Sequence, residues 1–244
     1  MSGFKTTHYP MAAQALAGAL TSARRGRGMP TRDQRAGKLD RRRLSRVGVG
    51  DLRIFQRRLD PAPQRIRCTI LVDASASMGG GYDSTAAQVC RNLADATEIL
   101  PWVTADVVGF TTGGDGVVVF PVWETGEPTK NIDAYMRIPM SGTEEGYAIA
   151  FAFDELKEKL APSEQGLIII VSDGGPSEPA HVKSVVRMCW DEGIPVVSVA
   201  LNSSAQQPLM YGHDNVIYYD NGGWGQGNDR KLARDMARAM GRVL

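Results

Sequence analysis

From residue 66 onward the chain alternates short apolar runs with longer segments of helical period. Arg67 to Asp73 reads as a strand, and its run Ile70-Leu71-Val72 suits a position buried on both faces. A helix is expected from about Ser84 to Leu100, capped by Asp83 or Ser84. Val103 to Thr111 is a second strand. Gly113-Gly114-Asp115-Gly116 is a turn and Val117 to Val122 a third strand, so these two predict an antiparallel hairpin. Asn131 to Arg137 fits a short helix. Ser141-Gly142-Thr143 leads into another helix ending near Leu160. Leu167 to Ser172 is a fully apolar strand that ends in Asp173-Gly174-Gly175. Glu178 to Glu192 is helical until Gly193 stops it. Pro195 to Leu201 is the fifth strand, Val216 to Tyr219 the sixth, and Asp229 to Val243 a final helix. Strands alternating with helices predict a doubly wound, mostly parallel six-stranded α/β sheet covered on both faces, with one antiparallel edge strand.

The first 65 residues follow a different pattern and lack clear strands. Ala12 to Ala23 is rich in Ala and Leu and fits a short helix, which Arg24-Arg-Gly-Arg-Gly-Met-Pro30 breaks. Gly37 to Val47 fits another helical turn or two, with Leu39, Arg43 and Val47 on one side. Leu52 to Leu59 fits a strand or extended segment. Charge marks the same division. Residues 1–67 hold 16 Lys and Arg against 4 Asp and Glu, a net of +12, while the remainder holds 12 against 23, a net of −11. The chain therefore divides into a basic N-terminal extension, residues 1–65, and an acidic domain, residues 66–244. The extension has three readings: docking to an acidic protein surface, packing back onto the acidic domain, or binding nucleic acid. Arg accounts for 14 of the 16 basic residues in 1–67, which favours bidentate pairing with carboxylates or phosphates. Phe55 is the one aromatic between residues 24 and 58, so base stacking has little to work with.

Several function classes lose support. The three cysteines, Cys68, Cys90 and Cys189, are an odd number without CxxC spacing, against both a disulfide framework and a zinc cluster. Buried thiols in a reducing, cytoplasmic setting are expected. The N-terminus has no signal-peptide pattern, and no run of 18 apolar residues spans a membrane. His8, His181 and His213 lie far apart in sequence. Gly79-Gly80-Gly81 gives loop freedom but matches neither phosphate-binding fingerprint. No nucleophile elbow is present. Gly222 to Gly227, with Trp224, reads as a connector before the last helix.

The candidate chemistry is in three segments. Asp73-Ala-Ser75-Ala-Ser77 follows the first strand of the domain, Thr143 sits at a helix N-terminus, and Asp173 follows the fourth strand. All five side chains offer hard oxygens, which suit Mg²⁺, with Mn²⁺ or Ca²⁺ as alternatives, rather than zinc. In a doubly wound sheet those two strands are neighbours across the switch point, where a crevice opens at the carboxyl ends. The plainer reading makes Asp73 and Asp173 caps of turns or helices. Glu144 and Glu145 either adjust the charge of this site or, the preferred reading, place favourable charge at a helix N-terminus.

Asp73-x-Ser75-x-Ser77, the distal Ser141-Gly-Thr143 and the distal Ser172-Asp173-Gly174 resemble the von Willebrand factor A (VWA) family and its metal-ion-dependent adhesion site (MIDAS). The resemblance implies that Ser75, Ser77 and Thr143 contact the metal directly. Asp73 and Asp173 would hold metal-bound waters, and one position would stay open for a partner's carboxylate. A narrower resemblance is to the CobT family, the non-ATPase subunit of aerobic cobaltochelatase. It rests on the basic stretch from Gly37 to Phe55, Gly109-Phe110-Thr111-Thr112, Glu145-Gly146 and Val171-Ser172-Asp173-Gly174-Gly175-Pro176. That family is longer, with a large N-terminal region and an acidic segment this chain lacks. The resemblance implies a non-catalytic, metal-dependent binding subunit, partnered by a MoxR- or CobS-like AAA+ ATPase in a chelatase-like or protein-remodelling complex. The alternatives are a nucleic-acid-associated VWA protein using the Arg-rich arm, and a metal-dependent phosphoesterase.

Overall fold

The computed structural model describes residues 65–80, 82–114, 116–132, 142–202 and 206–219, together with parts of 13–58 and 231–239. Six strands form the main sheet: β4 (Arg65–Asp73), β5 (Val103–Gly113), β6 (Gly116–Glu124), β7 (Glu164–Ser172), β8 (Val196–Ala200) and β9 (Val216–Tyr218), in the order β6-β5-β4-β7-β8-β9. All neighbours are parallel except β5 and β6, which form the expected hairpin with Gly113 opposite Gly116. The edge strand β6 carries Pro121, and the register shifts between Val107 and Val108 where it pairs. Proline cannot donate to a ladder, so an edge strand at an irregularity is where it fits.

The helices are α1 (Tyr82–Ile99), α2 (Glu145–Lys159), α3 (Pro179–Asp191) and a short α4 (Gln207–Tyr211). Helix α1 starts ahead of both predicted caps, because the 3₁₀ turn Ala76–Gly80 brings the chain in already wound. At the short helix expected over 131–137, the 3₁₀ turn Thr129–Asn131 leads into Ile132, which is helical and fully buried; the remainder lies outside the described residues. The Gly222–Gly227 loop is also outside them. The last helix is present at the described positions within 231–239.

Strand periodicity divides the core in two. Ile70 and Val72 of β4 and Ile169 and Val171 of β7 point to one face, where Ala86, Val89, Cys90 and Leu93 of α1 cover them. Leu71, Ile168 and Ile170 point to the other, against Ile149 and Phe153 of α2 and Val182 and Val186 of α3. Each such aliphatic side chain contributes about 1.5–3 kcal/mol by leaving water. Ala13, Ala17, Leu232 and Met236 belong to the first of these clusters. All three cysteines are buried free thiols. Burial pushes Cys68 and Cys90 well above the ordinary thiol range and Cys189 up to about 11, so none is poised to react.

The N-terminal region corrects one expectation. It contains strands where none was clear: β1 (Pro30–Gln34), β2 (Lys38–Leu39) and β3 (Phe55–Arg58) form an antiparallel sheet in the order β1-β3-β2, and β3 falls within the 52–59 segment expected as a strand or extended. Their sequences, PTRDQ, KL and FQRR, have no apolar alternation, and pairing across a long connection makes them strands. The helical turn expected from Gly37 is likewise replaced. Lys38-Leu39 is extended, Arg41, Leu44 and Val47 lie in 3₁₀ turns, and Leu39 and Val47 are exposed, so the proposed apolar side is not buried. Helix is present at the described positions of 13–21, as expected. Among the described residues, no helix is long and apolar enough to cross a membrane.

Candidate metal site

The switch point falls between β4 and β7, whose residues Val72 and Val171 are paired, so the loops leaving both strands open at one place. Past Asp73 the chain turns sharply. The Ser75 N–H donates to Asp73 Oδ1 at 2.8 Å, and the Met78 N–H closes the next turn on the Ser75 carbonyl at 3.1 Å. This geometry brings the hydroxyls of Ser75 and Ser77 to 2.9 Å from each other. Asp73 and Ser75 are buried, while Ser77 is exposed at the mouth.

Backbone hydrogen bonds fasten the other segments to this turn. The Thr112 N–H at the end of β5 donates to the Gly142 carbonyl at 3.1 Å, and the Ser177 N–H donates to the Thr143 carbonyl at 3.0 Å. Thr143 is thus held between the β5 end and the loop after β7, with its side chain buried. Asp173 opens that loop. Gly174 follows with φ +84°, a conformation that L side chains rarely adopt, and a Cβ there would come within 2.5 Å of the Gln207 amide. Gly146 is a second close approach, since a Cβ on it would meet the His181 ring at 2.6 Å. The His181 ring in turn rests on exposed Tyr147, with centroids 4.4 Å apart.

The electrostatics are those of crowded, buried acids. Asp73 Oδ2 and Asp173 Oδ1 are buried and have no hydrogen-bond partner. Burial raises the Asp73 pKa to about 7, against the lowering effect of the Ser75 backbone bond, with the Asp173 charge adding to the rise. The capping reading explains one oxygen of Asp73 and leaves the other unpartnered.

Glu145 changes its role relative to the sequence reading. It is 1% exposed, so it is not a solvent-facing charge at a helix N-terminus. Its Oε1 accepts hydrogen bonds from Tyr211 Oη at 2.5 Å and Ser172 Oγ at 3.3 Å. Burial raises its pKa to about 7, offset by the Tyr211 bond and augmented by the charges of Asp73 and then Asp173. Tyr211 is itself raised well above its ordinary value, by burial first and the Glu145 charge second. Gln207 has no exposure, and neither atom of its amide has a partner. Ser172 was read only as part of the Ser172-Asp173-Gly174 motif, and Gln207 and Tyr211 carried no sequence signal: α4 is a five-residue helix without periodicity.

Among the described residues, no three His, Cys, Asp or Glu side chains are close enough to hold an ion together. The orphaned carboxylate oxygens and the hard-oxygen donor set both fit a divalent cation of the Mg²⁺ kind.

No family model matches the sequence, and no curated protein matches it. Solved structures do match. The VWA domain of SpRpn10 aligns with a TM-score of 0.53 at 14% identity, over 70% of this chain and 93% of that one. Manganese-loaded TRAP protein from Plasmodium vivax aligns at 0.52 and 12% identity, over 66% and 70%. The open conformation of the pilus adhesin SpaC from Lactobacillus rhamnosus GG aligns at 0.53 and 12% identity, over 74% of this chain but 30% of the adhesin. At such identities the likeness speaks for architecture alone. The six-stranded order with one antiparallel edge, flanked by helices on both faces, is the fold of a von Willebrand factor A domain.

Proposed function

We propose that this chain is a non-catalytic, metal-dependent protein-binding module. Ser75, Ser77 and Thr143 would hold a Mg²⁺ ion directly, with Mn²⁺ or Ca²⁺ as alternatives, and Asp73 and Asp173 would hold it through water. The observation that carries this reading is the pair of buried, unpartnered oxygens on Asp73 and Asp173, facing one strand-end crevice. Buried carboxylates persist when something compensates their charge. When bound, the ion supplies a Lewis-acid position that an outside carboxylate can fill. The manganese carried by the TRAP neighbour is consistent with the same donor set here.

The partner we favour is a MoxR- or CobS-like AAA+ ATPase that offers an acidic residue to the ion, in a chelatase-like or protein-remodelling complex. The CobT-like stretches Gly109-Phe110-Thr111-Thr112 and Ser172-Asp173-Gly174-Gly175 support this, since both fall at the carboxyl ends of the strands that flank β4. Binding is favoured over hydrolysis because Glu145, the acid beside the candidate ligands, is 1% exposed and its Oε1 is engaged by Tyr211 and Ser172. Calorimetric titration with Mn²⁺ tests the site: Asp73→Asn and Ser75→Ala should each lower affinity about tenfold or more. Unchanged affinity in both variants would rule the site out. Retention of the purified ATPase should require Mg²⁺, and full retention in EDTA would contradict the docking role.

A further inference from the structure

Among the described residues, only Asp73 is a more deeply buried carboxylate than Glu145. Oε1 of Glu145 accepts from Tyr211 and Ser172, while Oε2 is buried with no partner. Both bonds to Oε1 come from neutral hydroxyls, so neither cancels the charge. Asp73 Oδ2 and Asp173 Oδ1 are in the same condition, and Glu145 feels the charges of both. The connections are short: Glu145 is two residues past Thr143, and its donor Ser172 immediately precedes Asp173. Two buried acids and the half-buried Asp173, each with one buried orphaned oxygen, carry more negative charge than neutral donors can compensate.

We propose that Glu145 is a third carboxylate of the metal site, supplying negative charge to the ion without ligating it, and that Tyr211 positions it. Glu145 acts through its field, because its Oε1 is taken by Tyr211 and Ser172. Tyr211 fixes which carboxylate oxygen is engaged and which is left without a partner. It thereby ties helix α4 to the state of the site, alongside Gln207, which packs on Gly174. This inference rests on the metal reading above.

The test compares two ions of different charge, Mn²⁺ and Tb³⁺, on the whole chain. Glu145→Gln should lower Mn²⁺ affinity about tenfold. It should lower Tb³⁺ affinity by a larger factor, because the lost Coulomb attraction scales with ion charge. Tyr211→Phe keeps the carboxylate and should give a smaller loss for both ions. Affinities within about twofold of wild type for both ions in E145Q, or equal losses for both, would overturn the proposal. Where circular dichroism shows E145Q unfolded, Y211F decides: a loss of Mn²⁺ affinity sustains the role of Glu145, and no loss overturns it. A wild-type chain that binds neither ion would instead overturn the metal reading itself.

Discussion

At the scale of single residues, the site stores unfavourable charge. Asp73 and Glu145 hold their protons to about pH 7 in the folded chain, chiefly because burial penalises their ionised forms. In the unfolded chain they titrate at their ordinary values, 3.8 and 4.5. Between those values and about 7 the folded state binds more protons than the unfolded state. Stability of the metal-free protein is therefore expected to fall as pH rises through that window and to level off above it. Saturating Mg²⁺ should flatten the fall, because the ion favours the ionised forms. Asp73→Asn should flatten it partly without metal and should remove the metal response; thermal melts from pH 4 to pH 9 check both. The five candidate oxygen donors were legible as candidates at this scale because residue type and order suggest their chemistry. Glu145 was not, since an acid at a helix start has the same sequence signature whether it faces solvent or is buried under Tyr211.

At the scale of elements, β4 and β7 carry the site on a rigid base, and the loops beyond them have little freedom. Leu71→Ala leaves a cavity between β4 and the α2–α3 layer and should cost about 2–5 kcal/mol in denaturant unfolding. Gly174→Ala combines a left-handed backbone with a clash against Gln207. It is expected to destabilise by roughly 1–3 kcal/mol and to weaken Mn²⁺ binding, because the same loop starts at Asp173. A stable variant with unaltered Mn²⁺ affinity would show that the loop tolerates displacement. The strands of the main sheet and the order of its helices were legible because apolar runs and helical periods report buried faces. Strands β1 and β2 were not, and β3 only as part of an extended segment, because their pairing is long-range and their sequences are polar. Helix α4 is too short to show a period.

At the scale of the whole molecule, the charge asymmetry and the fold meet. The basic first segment is not separate at every point from the acidic domain, since Ala13 and Ala17 are buried in the same cluster as Leu93, Leu232 and Met236. A chain beginning at residue 25 should therefore melt several degrees lower than the full chain, while its Mn²⁺ affinity stays near wild type. An unchanged melting temperature would show that the 13–21 helix adds no stability. The likeness to VWA structures at 12–14% identity is one of layer architecture. The most direct test of the central claim is a crystal soaked in Mn²⁺ and examined by anomalous diffraction. A single strong peak bounded by Ser75, Ser77 and Thr143, with Asp73 and Asp173 reached through water, is the predicted result. No peak there, or a peak only at other carboxylates, would contradict it.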